Sequence, residues 1–224
     1  MTTRNAARTI AVLLLLQMAC GPIVNFALLK WIAAPVFLEQ AAAHQVKIGL
    51  AVVLGLVMHG LSIAIALVAL PVLRSRSSTM AIWLVVLAVI GAAGALIEYS
   101  SSLSLLSFSQ AFAKADAADA ELFRKLAGAA VAPRLWAHYL GLAISGGVAF
   151  TLYLTLFRFA MVPRLLAGFG VLAACSEIIA VLMPLFGQPL VFPMIAPLGL
   201  AHVALVIWLF AKGFAEVPPA DEPA

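Results

Sequence analysis

The chain of 224 residues is 65% hydrophobic and 10% charged, with a mean hydropathy of +1.15. Soluble domains carry charge on roughly a quarter of their residues, so this composition excludes one and points to a polytopic membrane protein. The net charge of +4 does not indicate a nucleic-acid surface, because Lys and Arg stand singly or in pairs at the ends of apolar runs, where topology-setting charges belong.

A membrane-crossing helix needs about 20 apolar residues. In chain order that length fits six times, over 10–29, 48–73, 80–103, 135–157, 165–187 and 194–211. Unpaired backbone groups are not tolerated in lipid, and no run alternates like a barrel strand, so the expected fold is all-α, a bundle of six transmembrane helices. The first run follows a basic start, as a signal peptide would. It continues through "PIVNFALL", however, and reads as a first span. Cys20 and Cys175 lie inside apolar runs and offer no disulfide framework or metal knuckle.

Orientation follows from the cations. Arg4, Arg8, Arg74, Arg76, Arg158, Arg164 and Lys212 fall on one side of the six-span scheme, crowded into short turns; Lys30, Lys47, Lys114, Arg124, Lys125 and Arg134 fall on the other. The positive-inside rule acts most strongly in short loops, which puts both termini in the cytoplasm. The connection 108–134 then lies outside. Asp119 as a cap, Glu121 and Lys125 four apart, Leu122, Phe123 and Leu126 on one face and Gly128 as a stop describe a short amphipathic helix at the outer interface. The tail 215–224 is acidic and proline-rich, a composition that leaves it disordered.

Several ionisable side chains interrupt the oil. In "LAACSEIIAVLM" Glu177 shares a helical stripe with Gly170, Ala173, Ala174 and Ala180. His59 shares one with Gly55, Ser62 and Ala66; Glu98 with Gly91, Gly94, Ala95, Ser101 and Ser102; His202 follows Gly199 by one turn. Small stripes are where membrane helices meet, so these groups are expected to face the bundle interior. At 1.5 Å per residue, Glu177, His59 and His202 lie roughly 18, 16 and 12 Å into their spans, near the midplane, whereas Glu98 lies roughly 27 Å along its helix, near the outer surface. Two candidate sites follow: an interior one of Glu177, His59 and His202, and an outer vestibule of Glu98, His138, Ser101 and Ser102. A carboxylate at the bilayer centre costs about 3 kcal/mol or more unless it is protonated or paired, so Glu177 is expected to carry a proton or to bond His59 or His202.

No local His-x-x-x-His spacing commits a metal or haem site, and no cofactor is read from the chain. No P-loop, dinucleotide fingerprint, HExxH or GxSxG motif is present, and no residue is read as catalytic.

"ALPVLRSRS" ending the second span, "IEYSSSLSLLSFSQAF" ending the third, "RLWAHYLGLAISGGVAFTLYLTLFRFAMVPRLLAGFGVL" through the fourth and fifth, and the ending "VIWLFAKGF" resemble the bacterial six-span proteins grouped as domain of unknown function 4386. The most specific pieces are the loop with Pro163 and Arg164 and the ending with Trp208, Lys212, Gly213 and Phe214. The resemblance implies six helices and a bacterial cytoplasmic membrane, and it brings no activity, cofactor or substrate. Glu98 matches an acidic position that the family often has; His202 stands where related chains often carry glutamate.

Embedded ionisable groups often mark proton or solute paths, which makes a small permease with a titratable interior the leading functional expectation. Paired broken helices of the kind that mark many transporters are absent from the pattern; Pro184, Pro189, Pro193 and Pro197 cluster at one turn. An accessory subunit of a membrane complex, with a protein partner in the bilayer, is the alternative. A membrane enzyme acting on a lipid-soluble substrate at the outer vestibule is the second.

Overall fold

Six long helices, each packed against its neighbours in sequence, close into a ring. The computed structural model describes residues 2–33 and 36–215. Its elements are α1 (Thr3–Pro22), the short α2 (Phe37–Gln40), α3 (Gln45–Arg74), α4 (Ser78–Phe112), α5 (Ala117–Arg158), α6 (Arg164–Leu182) and α7 (Ala196–Ala211). Those other than α2 are long and apolar enough to cross a membrane, and no strand occurs among the described residues. Packed pairs run α1–α3, α3–α4, α4–α5, α5–α6, α6–α7 and back to α1. Outward faces carry large apolar side chains such as Leu16, Leu67, Ile97, Leu172 and Ile207, a surface that only lipid or another apolar partner can cover.

A ring of six cylinders about 10 Å wide leaves a central space about one helix across, and side-chain size decides how it is filled. In the half that holds the termini, Ile10, Leu14, Ile65, Leu73, Leu84, Leu152, Tyr153, Leu156, Leu205 and Leu209 close it. In the other half the inward positions are smaller, among them Gly21, Ser62, Ala88, Gly91, Ala95, Gly141, Ser145 and Gly199, and a cavity remains. Two glycines admit rings into the packing: Tyr99 lies against the backbone at Gly55 and Tyr153 against Gly170, with no space for a Cβ at either.

Helix ends follow local chemistry. Ser77 Oγ accepts from Met80 N at 3.4 Å to start α4, and Asp116 Oδ1 accepts from Ala118 N and Asp119 N at 3.0 and 2.9 Å to start α5. The cap expected at Asp119 falls to Asp116, whose extended backbone lets the carboxylate reach the first free amides. The short helix expected within the connection 108–134, from a cap at Asp119 to a stop at Gly128, is not a separate element. Residues 108–112 end α4, and 117–134 run without a break through Gly128 and Pro133 into the fourth span. At 35 and 42 residues, α4 and α5 are about 52 and 63 Å long, against a hydrocarbon core of about 30 Å. Their ends at Phe112 and Ala117 therefore project as a hairpin on the side opposite Thr3 and Ala211.

The segment 36–44 packs against this hairpin through Phe37, Leu38, Leu105 and the Phe108, Phe112 and Phe123 rings. One hydroxyl fastens it: the fully buried Ser109 Oγ donates to Leu38 O at 2.8 Å and accepts from Ala42 N at 2.9 Å. Ser109→Ala leaves both backbone groups unpaired, a cost of about 2 kcal/mol. Amide exchange over 36–44 is expected to accelerate in this variant while exchange in α6 and α7 stays unchanged; equal acceleration throughout would show that Ser109 supports the whole ring.

At the opposite end, the loop with Pro163 and Arg164 and the ending with Trp208, Lys212, Gly213 and Phe214 meet around a pocket of about 380 Å³. Ala215 N donates to Met161 O at 2.8 Å, and Gly213, at φ 77°, turns the chain off α7 so that Phe214 is buried. The rest of the tail expected to be disordered, 216–224, lies outside the described residues.

Candidate functional site

The cavity has a volume of about 420 Å³ and takes residues from all six spanning helices. A second chamber of about 80 Å³ continues it towards the termini, sharing Gln17, Ser62, Ser145, Glu177 and His202 and ending on Leu14, Ile65, Leu84 and Leu152. Glu177, His59 and His202 line the main cavity, and so do Glu98 and His138. Two groups that depth along the helices separates thus share one space. Ser101 and Ser102 do not line it: the Ser102 hydroxyl, fully buried, donates to Glu98 O at 3.0 Å within its own helix.

The two carboxylates differ in their partners. Glu98 Oε1 accepts from His138 Nδ1 at 2.9 Å and has Arg134 Nη2 at 3.7 Å. Glu98 and Arg134 side chains are 8% and 12% exposed, so this is a largely buried pair across α4 and α5. Arg134 and His138 are four apart and share one face of α5; that spacing is the signal by which Arg134 could have been found, in place of its reading as a topology charge.

Glu177 is 7% exposed and belongs to the buried face of α6 with Gly170, Ala173, Ala174 and Ala180. Its Oε2 has no hydrogen-bond partner among the described residues. No hydrogen bond joins it to His59 or to His202, whose Nδ1 instead donates to Leu198 O at 2.8 Å. With that proton engaged, the neutral imidazole presents an acceptor at Nε2. The backbone of α5 comes close beside Glu177: a Cβ on Gly146 would stand 3.7 Å from Oε2 and 2.6 Å from Ile178 Cγ1. Two aromatic contacts fix the histidines, His59 against Tyr99 with ring centroids 6.3 Å apart and His202 edge-on to Tyr153 at 5.6 Å.

Gln17 and Gly21 on α1 and Asn25 just beyond it stand at four-residue spacing and also line the cavity. Pro22 cannot donate to the preceding turn, and the chain widens into a π-helical stretch, Ile23–Leu28, in which Asn25 Nδ2 donates to Gly21 O at 3.0 Å. Such π turns recur at functional sites because they re-aim one side chain. The spacing of Gln17 and Asn25, two helical turns apart, is legible in the sequence; the π turn is not. Among the described residues no three His, Cys, Asp or Glu side chains stand together as a metal-binding group.

No curated protein and no solved structure matches the chain. The model for a domain of unknown function, DUF4386, matches residues 9–213. That match spans all six helices of the ring and every residue lining its cavity, and the chain belongs to the DUF4386 family.

Proposed function

We propose that this is a small permease of the bacterial cytoplasmic membrane, with both termini cytoplasmic and a polar cavity inside the ring as its solute site. One observation carries the reading: a cavity of about 420 Å³, to which every spanning helix contributes, holds Glu177, a nearly buried carboxyl with an oxygen that has no hydrogen-bond partner among the described residues. A structural role alone gives no reason to maintain such a group in the membrane, where an unpaired carboxylate is costly. Sites for small molecules have this volume and this mixture of apolar walls with a few polar groups. Transport then requires the apolar closure at Leu14, Ile65, Leu84 and Leu152 to open while the other half shuts, an exchange that sliding of neighbouring helices supplies.

The accessory-subunit reading has an observation of its own, the projecting hairpin with Leu122 and Leu126 exposed, and the same experiment separates the two. With Cys20 and Cys175 replaced by serine, single cysteines at Ser77, Ala118 and Ser145 are treated with a membrane-impermeant thiol reagent in right-side-out and inverted vesicles. Position 118 is expected to react from outside, position 77 from inside and position 145, in the cavity, from both. Reaction at 145 from one side only overturns the permease reading in favour of a static cavity; reaction at 77 from outside inverts the topology.

A further inference from the structure

We infer that the cavity binds an organic monocation, a protonated amine on a compact apolar body, with Glu177 as its counter-ion; the inference rests on the permease reading for its physiological sense, and on the geometry below for its chemistry. Among the described residues no Lys or Arg lines the cavity, and of its two carboxylates Glu98 is already matched by Arg134 and His138. Glu177 is the uncompensated one. With His59 and His202 neutral, any charge the protein leaves unmatched in this space is therefore negative, and a cationic ligand completes it.

The remaining polar groups agree with that assignment. An ammonium offers hydrogen-bond donors and no acceptor. The cavity offers acceptors in the Glu177 carboxyl, the Asn25 amide oxygen, the Ser62 and Ser145 hydroxyls and, when neutral, His202 Nε2. The walls between them are Met18, Met58, Leu142, Val148 and Leu198. Such walls reject a heavily hydrated polycation or a sugar, whose further polar groups would be left unpaired, and accept an amine with one polar end. Tyr99, a cavity-lining residue packed on Gly55, adds an aromatic ring to which a cation is drawn.

Ammonium and proton compete for the same carboxyl. When the acid form of Glu177 takes up an alkylammonium, the O–H bond breaks, the proton leaves to the aqueous phase, and a carboxylate–ammonium pair remains, so total charge is conserved. The other titratable groups lining the cavity are His59, Glu98, Tyr99, His138 and His202. Of these, Glu98 and His138 are already matched with each other, and Glu98 also with Arg134. Proton release is therefore assigned by substitution at Glu177 and not by pH dependence alone.

Isothermal titration calorimetry of the full chain in lipid nanodiscs tests this with butylamine, 2-phenylethylamine and octylamine, each beside the matching alcohol. At least one amine is expected to bind about tenfold or more tightly than its alcohol, and Glu177→Gln is expected to remove that preference, the loss of one charge-assisted hydrogen bond. Glu177→Asp keeps part of it. The binding heat of the wild type should also vary with the ionisation enthalpy of the buffer, and that of Glu177→Gln should not. A fold-intact Glu177→Gln that keeps the amine preference, or alcohols binding as tightly as all three amines, overturns the inference. Amine binding together with one-sided reactivity at position 145 overturns the permease reading alone. Two-sided reactivity with no amine binding overturns this inference alone.

Discussion

Gly170→Ala is expected to prevent the ring from assembling normally. A Cβ at this position falls within the ring of Tyr153, overlapping three of its carbons, and Tyr153 is fully buried between α5, α6 and α7, where it meets His202. Because Tyr153 is fully buried, either the helices separate or the tyrosine is displaced. Overpacking of a tight core costs about 1–3 kcal/mol and more where the backbone must move, and here the whole ring is displaced. Gly55→Ala is the milder case, since the overlapping atoms belong to the hydroxyl end of Tyr99, which tilts more cheaply. Fluorescence-detected size exclusion after heating should show Gly170→Ala aggregating far below the wild type and Gly55→Ala in between. Combining Gly170→Ala with Tyr153→Leu should restore most of the loss; a single Gly170→Ala variant as stable as wild type would contradict the close approach.

Breaking the Glu98–Arg134 pair from one side is expected to cost about 3 kcal/mol, because a largely buried charge is then left without its partner. Arg134→Gln strands Glu98 with His138 alone, and Glu98→Gln strands Arg134, whose buried Nε already lacks a hydrogen bond. The double variant removes both charges and should be more stable than the sum of the single effects allows. Unfolding of the four proteins in mixed micelles gives the coupling directly as a double-mutant cycle. Strictly additive losses would mean that the two side chains, 3.7 Å apart, do not support each other.

Much of this molecule can be read without coordinates. Hydropathy is a property of consecutive residues, and a 20-residue apolar run in lipid has one economical backbone solution, so six spans and an all-helical fold follow from the chain alone. Stripes of small residues at helical spacing are equally local. Their periodicity is enough to put Gly170, Ala173, Ala174, Glu177 and Ala180 on one face, and that face is buried. Spacing also holds two further signals, Arg134 with His138 on α5 and Gln17 on α1 with Asn25 two turns on.

Distance along a helix is a different kind of information, and here it misleads. Depth separates Glu98 and His138 from Glu177, His59 and His202, yet all five line one cavity. That cavity exists because α7 returns to α1 and closes the ring, and because large side chains from different helices converge at one end while glycines, alanines and serines face each other at the other. The unpaired state of Glu177 has the same origin. His202 directs Nδ1 to its own helix's Leu198 carbonyl, and Arg134, beside the cavity-lining Glu98, is engaged by that carboxylate. A composition pattern records which side chains each helix presents; which of them stand opposite one another, and which are already engaged elsewhere, depends on contacts between residues far apart in the chain and becomes definite only when the helices pack.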